Sequence, residues 1–252
     1  MSERILLKLG GSVITDKSGD CRIRHEVIES VAGEIVKRRN SGIVIVHGAG
    51  SCGHPEASRY RLTGGVTKEN LEGVYLTHAS VRRLNEAVVA ALRRAGLEAI
   101  GVHPLSAWLA DNGELSGGEY VHLDLMLALG IVPVLHGDVV MDRVLGASVV
   151  SGDQLVRRLA HPLRIGRIGL ATDVPGLLRD GVVVPLVTPD SPLPHPGGSK
   201  NVDVTGGMEG KIRELVALAR TGIGSDIFNI SRVGDFLDGR PHGGTSVRGS
   251  GF

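Results

Sequence analysis

Short apolar runs that end in glycine alternate along this chain with segments of helical period, and that alternation limits the fold more than any other feature. Arg4–Leu9 runs into Gly10-Gly11, and residues 43–46 run into His47-Gly48-Ala49-Gly50. Residues 164–171 end in Thr172-Asp173-Val174-Pro175-Gly176. Between such runs, Val27, Ile28, Val31, Ile35 and Val36 recur at helical spacing within 26–39. Leu71, Val74, Tyr75, Leu84, Val88, Ala91 and Leu92 do so within 68–94, where Gly96 supplies the stop. Further strands are expected at 99–102, 131–135, 226–230 and 245–248, with helices at 123–129, 153–160 and 208–221. Residues 139–150 read as a hairpin and 188–200 as a Pro- and Gly-rich loop. Strands alternating with helices predict an α/β fold whose mostly parallel sheet is covered on both faces. No repeat or long linker divides the 252 residues, so the chain reads as one domain.

In an open sheet of this kind ligands bind at the carboxyl ends of the strands, where the glycine segments 10–12, 48–53 and 173–176 all fall. The stretch HGAGSCGH at 47–54 spends three glycines in eight residues. It is either a roomy strand-to-helix connection or a cradle of backbone N–H groups for an anion. DVTGGMEGK at 203–211 is not a P-loop, because Thr205 and Ile212 stand where that motif needs Gly and Ser or Thr. What remains is glycine at a helix N-terminus with Lys211 one turn in, a combination that favours anions.

Charge and composition remove other classes. A net charge of +1 leaves no basic excess for nucleic acid. The most apolar stretch, 123–141, is broken by Asp124, His136 and Asp138, so no membrane span is expected. The first residues carry too short an apolar segment for a secretory signal. Cys21 and Cys52 form neither a metal-type pair nor a disulfide framework by spacing, and that fits a reducing cytoplasm. Lysine, by contrast, is informative. There are six lysines among 28 basic residues, and Lys8, Lys17 and Lys211 lie in or beside glycine loops. Phosphoryl transfer needs such cations, because catalysis there is positioning plus stabilisation of charge on the moving group. Asp153 in SGDQL is placed either to hold the lysines or to cap a helix. Asp173 equally suits a turn, and Lys17 alone would suit a solvated surface.

KLGGSVITDK, HGAGSCGH, HGDVV, SGDQL, TDVPGL and DVTGGMEGKI, in this order, resemble the amino-acid-kinase superfamily. The histidine closing HGAGSCGH, together with SGDQL, narrows the resemblance to the isopentenyl phosphate kinases. The resemblance implies a three-layer αβα sandwich, with an acceptor-binding part over about 1–160 and a nucleotide-binding part over about 161–252. It implies that Lys8, Lys17 and Lys211 stabilise the transferring phosphoryl group and that Asp153 orients them. Gly10, Gly11, Ser12, Gly50, Asp173, Gly206 and Gly207 are then expected on the nucleotide side, with Lys8 and Lys211. Ala49, Gly53, His54 and Gly152 are expected to bind the acceptor, His54 through the acceptor's own phosphate. Also implied are ATP, Mg²⁺ carried on its phosphates with no dedicated protein ligands, a small monophosphate substrate and a homodimer. Cys52 stands where the family usually has an aromatic, and a prenyl pocket is expected along helix 71–92 with Tyr75 and Leu84 at its floor. Two other readings remain: a kinase of another small phosphate, phosphonate or carboxylate, and a non-catalytic nucleotide-binding protein.

Overall fold

The structure, a computed structural model, describes residues 3–16, 21–38, 42–191 and 207–250. The first half begins with β1 (Arg4–Leu9), the short α1 (Gly11–Ile14), α2 (His25–Val36), β2 (Ile43–His47) and α3 (Gly50–Arg59). It continues through α4 (Leu71–Arg94), β3 (Ala99–Gly101), α5 (Pro104–Ala107), β4 (Trp108–Asp111), β5 (Glu114–Gly118) and α6 (Val121–Ala128). Then come β6 (Val132–His136), β7 (Asp138–Asp142), β8 (Gly146–Val150), α7 (Gly152–Ala160) and β9 (Ile165–Thr172). The short β10 (Leu178–Arg179), β11 (Val182–Val183) and β12 (Leu186–Val187) precede α8 (Gly207–Ala219). The chain closes with β13 (Ser225–Asn229), α9 (Val233–Leu237) and β14 (Thr245–Val247).

The main sheet has eight strands in the order β12-β14-β13-β9-β1-β2-β6-β3. Pairing is parallel from β13 to β3, and β14 lies antiparallel to β13 with β12 parallel to β14. β1 sits in the middle because RILLKL can be buried on both faces, as a central parallel strand must be. Its period-2 alternation divides the core. Ile5, Leu7 and Leu9 join Ile43, Ile45 and Val134 against Ile28, Val31 and Ile35 of α2, Leu84 and Val88 of α4, and Phe236 of α9. Leu6, with Val44, Val46 and Leu135, faces Leu155, Val156 and Leu159 of α7 and Ile212 and Leu215 of α8. Helices on both faces of a mostly parallel sheet give the expected three layers.

Three features went beyond the sequence reading. β6 passes through Gly137 into β7 and so into a second sheet, ordered β5-β4-β7-β8. Its β4–β5 turn is Asn112-Gly113, both at positive φ (50° and 85°), the pairing that a two-residue hairpin turn demands. The Pro- and Gly-rich segment lies outside the described residues from 192 to 200, as do Lys17 and Gly206. Cys21 and Cys52 are joined in a disulfide, which overturns the expectation drawn from their spacing. The sequence separation of 31 says nothing of their distance in space. β1 and β2 pair in parallel, so the segments that leave their carboxyl ends, one holding Cys21 and the other Cys52, emerge side by side.

Candidate active site

The alternation that divides the core also aims the site. Lys8 lies on the Leu6 face of β1, toward α7, and is buried at 4 % exposure. There its Nζ meets Oδ1 of Asp153 at 2.5 Å. Asp153 is not the cap of α7; that place belongs to Ser151, whose Oγ accepts from Gln154 N at 3.1 Å. The Asp153 carboxylate is therefore free of the helix end and turned to Lys8. Burial pushes the Lys8 ammonium below its usual range, Asp153 pushes it up, and the nearby Lys211 of α8 pushes it down. Gly152 makes the approach possible, since a Cβ there would stand 3.1 Å from Cε of Lys8.

The glycine loops after β1 and β2 interlock. A Cβ on Gly11 would lie 2.3 Å from Gly50 N, and one on Gly48 would lie 2.7 Å from Gly11 N. Backbone packs directly on backbone, and only glycine allows that. Gly50 also has φ +53°. Thr15 ties the two loops: its Oγ1 donates to Gly11 O at 2.8 Å and accepts from Ser51 N at 3.0 Å. Gly10 N donates to Ala171 O at 2.9 Å, which anchors the first loop to β9. Gly53 serves packing too, since a Cβ would stand 2.6 Å from that of Ala49 and 2.7 Å from Val81 Cγ1 on α4.

Helices α3 and α7 begin at Gly50 and Gly152, and the first N–H groups of a helix have no partner within it. Gly137 lies between them: a Cβ there would sit 3.3 Å from Gly152 N and 3.7 Å from Ala49 N. Val150 O lies equally near, at 3.3 Å, so Gly137 is where three backbones pack closely and the first residues of both helices come together. That arrangement suits a phosphate. His54 stands exposed on α3, one turn past Gly50. Ser12 and Asp173 line an open cleft of about 510 Å³ with Thr15, Asp16, Arg22 and Arg24. Gly207 opens α8.

Sequence reasoning missed a chain of histidines behind these loops. His47 and His136 are fully buried, and around them lie Asn85, His103, His78 and Asp138. The repeated His-Gly step at the ends of β2 and β6 is the signal that points to them.

Residues 3–229 match the amino acid kinase family. The chain belongs to that family. Among its relatives is the isopentenyl phosphate kinase of Methanothermobacter thermautotrophicus, 39% identical over 97% of this chain and 99% of the relative. The isopentenyl phosphate kinase of Haloferax volcanii is also 39% identical, over 97% of this chain and 98% of its own. A solved isopentenyl phosphate kinase structure superposes with a TM-score of 0.85 at 35% identity, covering 97% of this chain and 99% of that one. This amino acid kinase therefore matches such relatives end to end, with the expected fold.

Proposed function

We propose that the chain transfers the γ-phosphoryl group of ATP to isopentenyl phosphate, giving isopentenyl diphosphate and ADP. The observation that carries the reading is the buried Lys8–Asp153 pair at the start of α7, where Gly152 packs on Lys8 and the first residues of α3 and α7 come together at Gly137. An oxygen of the acceptor phosphate forms the new bond to the γ-phosphorus as the bond to the β-bridging oxygen breaks. ADP leaves with that electron pair. Negative charge spreads over the moving group, and fixed cations stabilise it without having to reorganise. Lys8 and Lys211 supply this charge, with Lys17 completing the set, and Asp153 keeps Lys8 protonated and in place.

Gly10, Gly11, Ser12, Gly50, Asp173, Gly206 and Gly207 serve the nucleotide phosphates. Ala49, Gly53, His54 and Gly152 serve the acceptor. The acceptor side falls within about 1–160 and the nucleotide side within about 161–252. Among the described residues no group of three or more His, Cys, Asp or Glu side chains is arranged to hold a metal ion. Mg²⁺ then arrives on the ATP phosphates, whose oxygens suit a hard cation. A homodimer and a cytoplasmic location complete the proposal. No helix among the described residues is long and apolar enough to cross a membrane. The Cys21–Cys52 bond bears on location, since most cytosols reduce disulfides whereas those of hyperthermophiles keep them.

The test is ADP release with ATP, Mg²⁺ and a panel of acceptors: isopentenyl phosphate, other alkyl monophosphates, a phosphonate and a carboxylate. Turnover with isopentenyl phosphate at least ten times that with the others, by kcat/KM, is expected on the order of one lost apolar or polar contact set. Turnover favouring a carboxylate, or none at all, would overturn the assignment.

A further inference from the structure

β2 and β6 pair in parallel with His47 opposite His136, and a glycine follows each, so two identical steps stand side by side at the carboxyl ends of these strands. The rings stack with centroids 5.5 Å apart. In each, Nδ1 faces the carbonyl of the next residue, 3.0 Å to Gly48 O and 3.1 Å to Gly137 O. A carbonyl only accepts, so Nδ1 carries the proton in both rings, and each Nε2 is left to accept. The matching donors are present. Asn85 Nδ2 lies 3.1 Å from His47 Nε2, and His103 Nδ1 lies 2.9 Å from His136 Nε2. Asn85 is itself oriented, because the same Nδ2 donates to Val134 O at 3.1 Å. Beyond His103, His78 Nδ1 donates to both carboxylate oxygens of Asp138 at 3.0 Å. Burial above all keeps the two central rings neutral, His47 at about 4 and His136 at about 3.

The consequence passes through the peptide plane. In a trans peptide the C=O and the following N–H point in opposite directions. Holding Gly48 O against the His47 ring turns the Ala49 N–H away from that ring. Holding Gly137 O does the same for the Asp138 N–H. Such peptides need holding, because glycine rotates at little cost. Ala49 directly precedes Gly50, the first residue of α3, and packs close to Gly137, where a Cβ would lie 3.7 Å from Ala49 N.

We propose that His47 and His136 are positioning residues for the phosphate acceptor, imidazoles locked in one tautomer by Asn85 and His103: the Gly48 peptide held by His47 keeps the Ala49 N–H aimed at the bound phosphate. Gly137, held by His136, braces it, since Gly137 N donates to His47 O at 2.9 Å. The inference rests on the acceptor reading given above. Nitrogen-15 NMR of the histidine rings in the full-length protein at neutral pH tests the lock without any substrate. Two neutral rings protonated at Nδ1 are expected; Nε2-protonated or charged rings at these positions overturn the proposal. Kinetics test the consequence. His136→Leu removes the donor and is expected to raise the KM for isopentenyl phosphate about tenfold, the weight of a hydrogen bond to a charged group, with the KM for ATP unchanged. His136→Asn keeps an N–H where Nδ1 stood and restores most of the affinity. His103→Phe, at the half-buried rim of the cluster and safer for folding, is expected to mix the tautomers of His136 and raise the same KM about threefold. Equal changes in both KM values, or altered tautomers with no change in acceptor KM, sink the positioning role. If no monophosphate is turned over by the unaltered protein, the functional assignment fails, and the NMR result still decides the lock.

Discussion

Lys8 shows how a single residue carries opposing demands. Burial and Lys211 push its ammonium toward the neutral form, and Asp153 pushes the other way. Asp153→Asn removes the raising influence and leaves the two lowering ones. The pKa of Lys8 then falls further, and a lysine is charged only below its pKa. The alkaline limb of the kcat profile is therefore expected to move to lower pH, together with a drop in kcat at its plateau. A limb that stays in place would assign it to another group. His54 makes a different demand. His54→Ala is expected to raise the acceptor KM by the ~1.5–3 kcal/mol of a hydrogen bond to a charged group, while the KM for ATP holds. His54→Gln, which keeps a donor, should lose less, and equal loss for both substrates would make the histidine structural. The meeting of Lys8 with Asp153 was legible because cations at glycine loops are few in a chain so rich in arginine. His47 and His136 were visible as letters but not as parts. Their partners Asn85 and His103 are 38 and 33 residues away in sequence and meet them only after the sheet forms.

At the scale of elements, α4 is the instructive case. Its pattern predicted a helix and one broad apolar face; the helix is present, but the buried side holds Gly73, Thr77, Val81, Leu84, Asn85, Val88, Ala91 and Leu92, while Leu71 and Tyr75 of the expected face are exposed. The pattern did not say which residues line a pocket. Leu84 is packed at 0 % exposure in the core under the sheet and so lines no open cavity, whereas Tyr75 stands 70 % exposed. Leu84→Ala is expected to cost about 2–5 kcal/mol in denaturant unfolding, as a core truncation does, and to leave the chain-length profile of kcat/KM unchanged. Acceptance of longer prenyl phosphates by this variant would return Leu84 to the pocket wall. The second sheet was half legible. Asn112-Gly113 is a strong hairpin signal, yet the flanking strands are too short and mixed to stand out beside the apolar runs of the main sheet. The carboxyl end of β7 also depends on a contact no pattern shows. Asp142 accepts from the N–H groups of Gly113 at 2.7 Å, Val144 at 2.8 Å and Leu145 at 2.9 Å. Burial works against that carboxylate, but those backbone donors hold it well below its usual range.

For the whole molecule, the layered α/β plan followed from alternation alone, because a strand buried on both faces needs helices above and below it. The disulfide did not, since pairing at a separation of 31 is a property of the folded topology. Reduction, or Cys52→Ala, is expected to lower stability by about 3–4 kcal/mol, the chain entropy released by opening a loop of this length. Unfolding curves with and without reductant measure it, and coincident curves would refute the contribution. The interlocked glycines carry a consequence for motion. Gly11 and Gly50 touch backbone to backbone, Thr15 bridges their loops, and Cys21 is bonded to Cys52. The two loops are one rigid body, and neither can swing without the other. Their amides should therefore exchange with deuterium as a single cooperative unit, with one opening free energy and one denaturant dependence across 10–15 and 48–53. Separate opening energies for the two stretches would break that unity. Where it holds, any opening that lets product leave falls to elements outside these two loops.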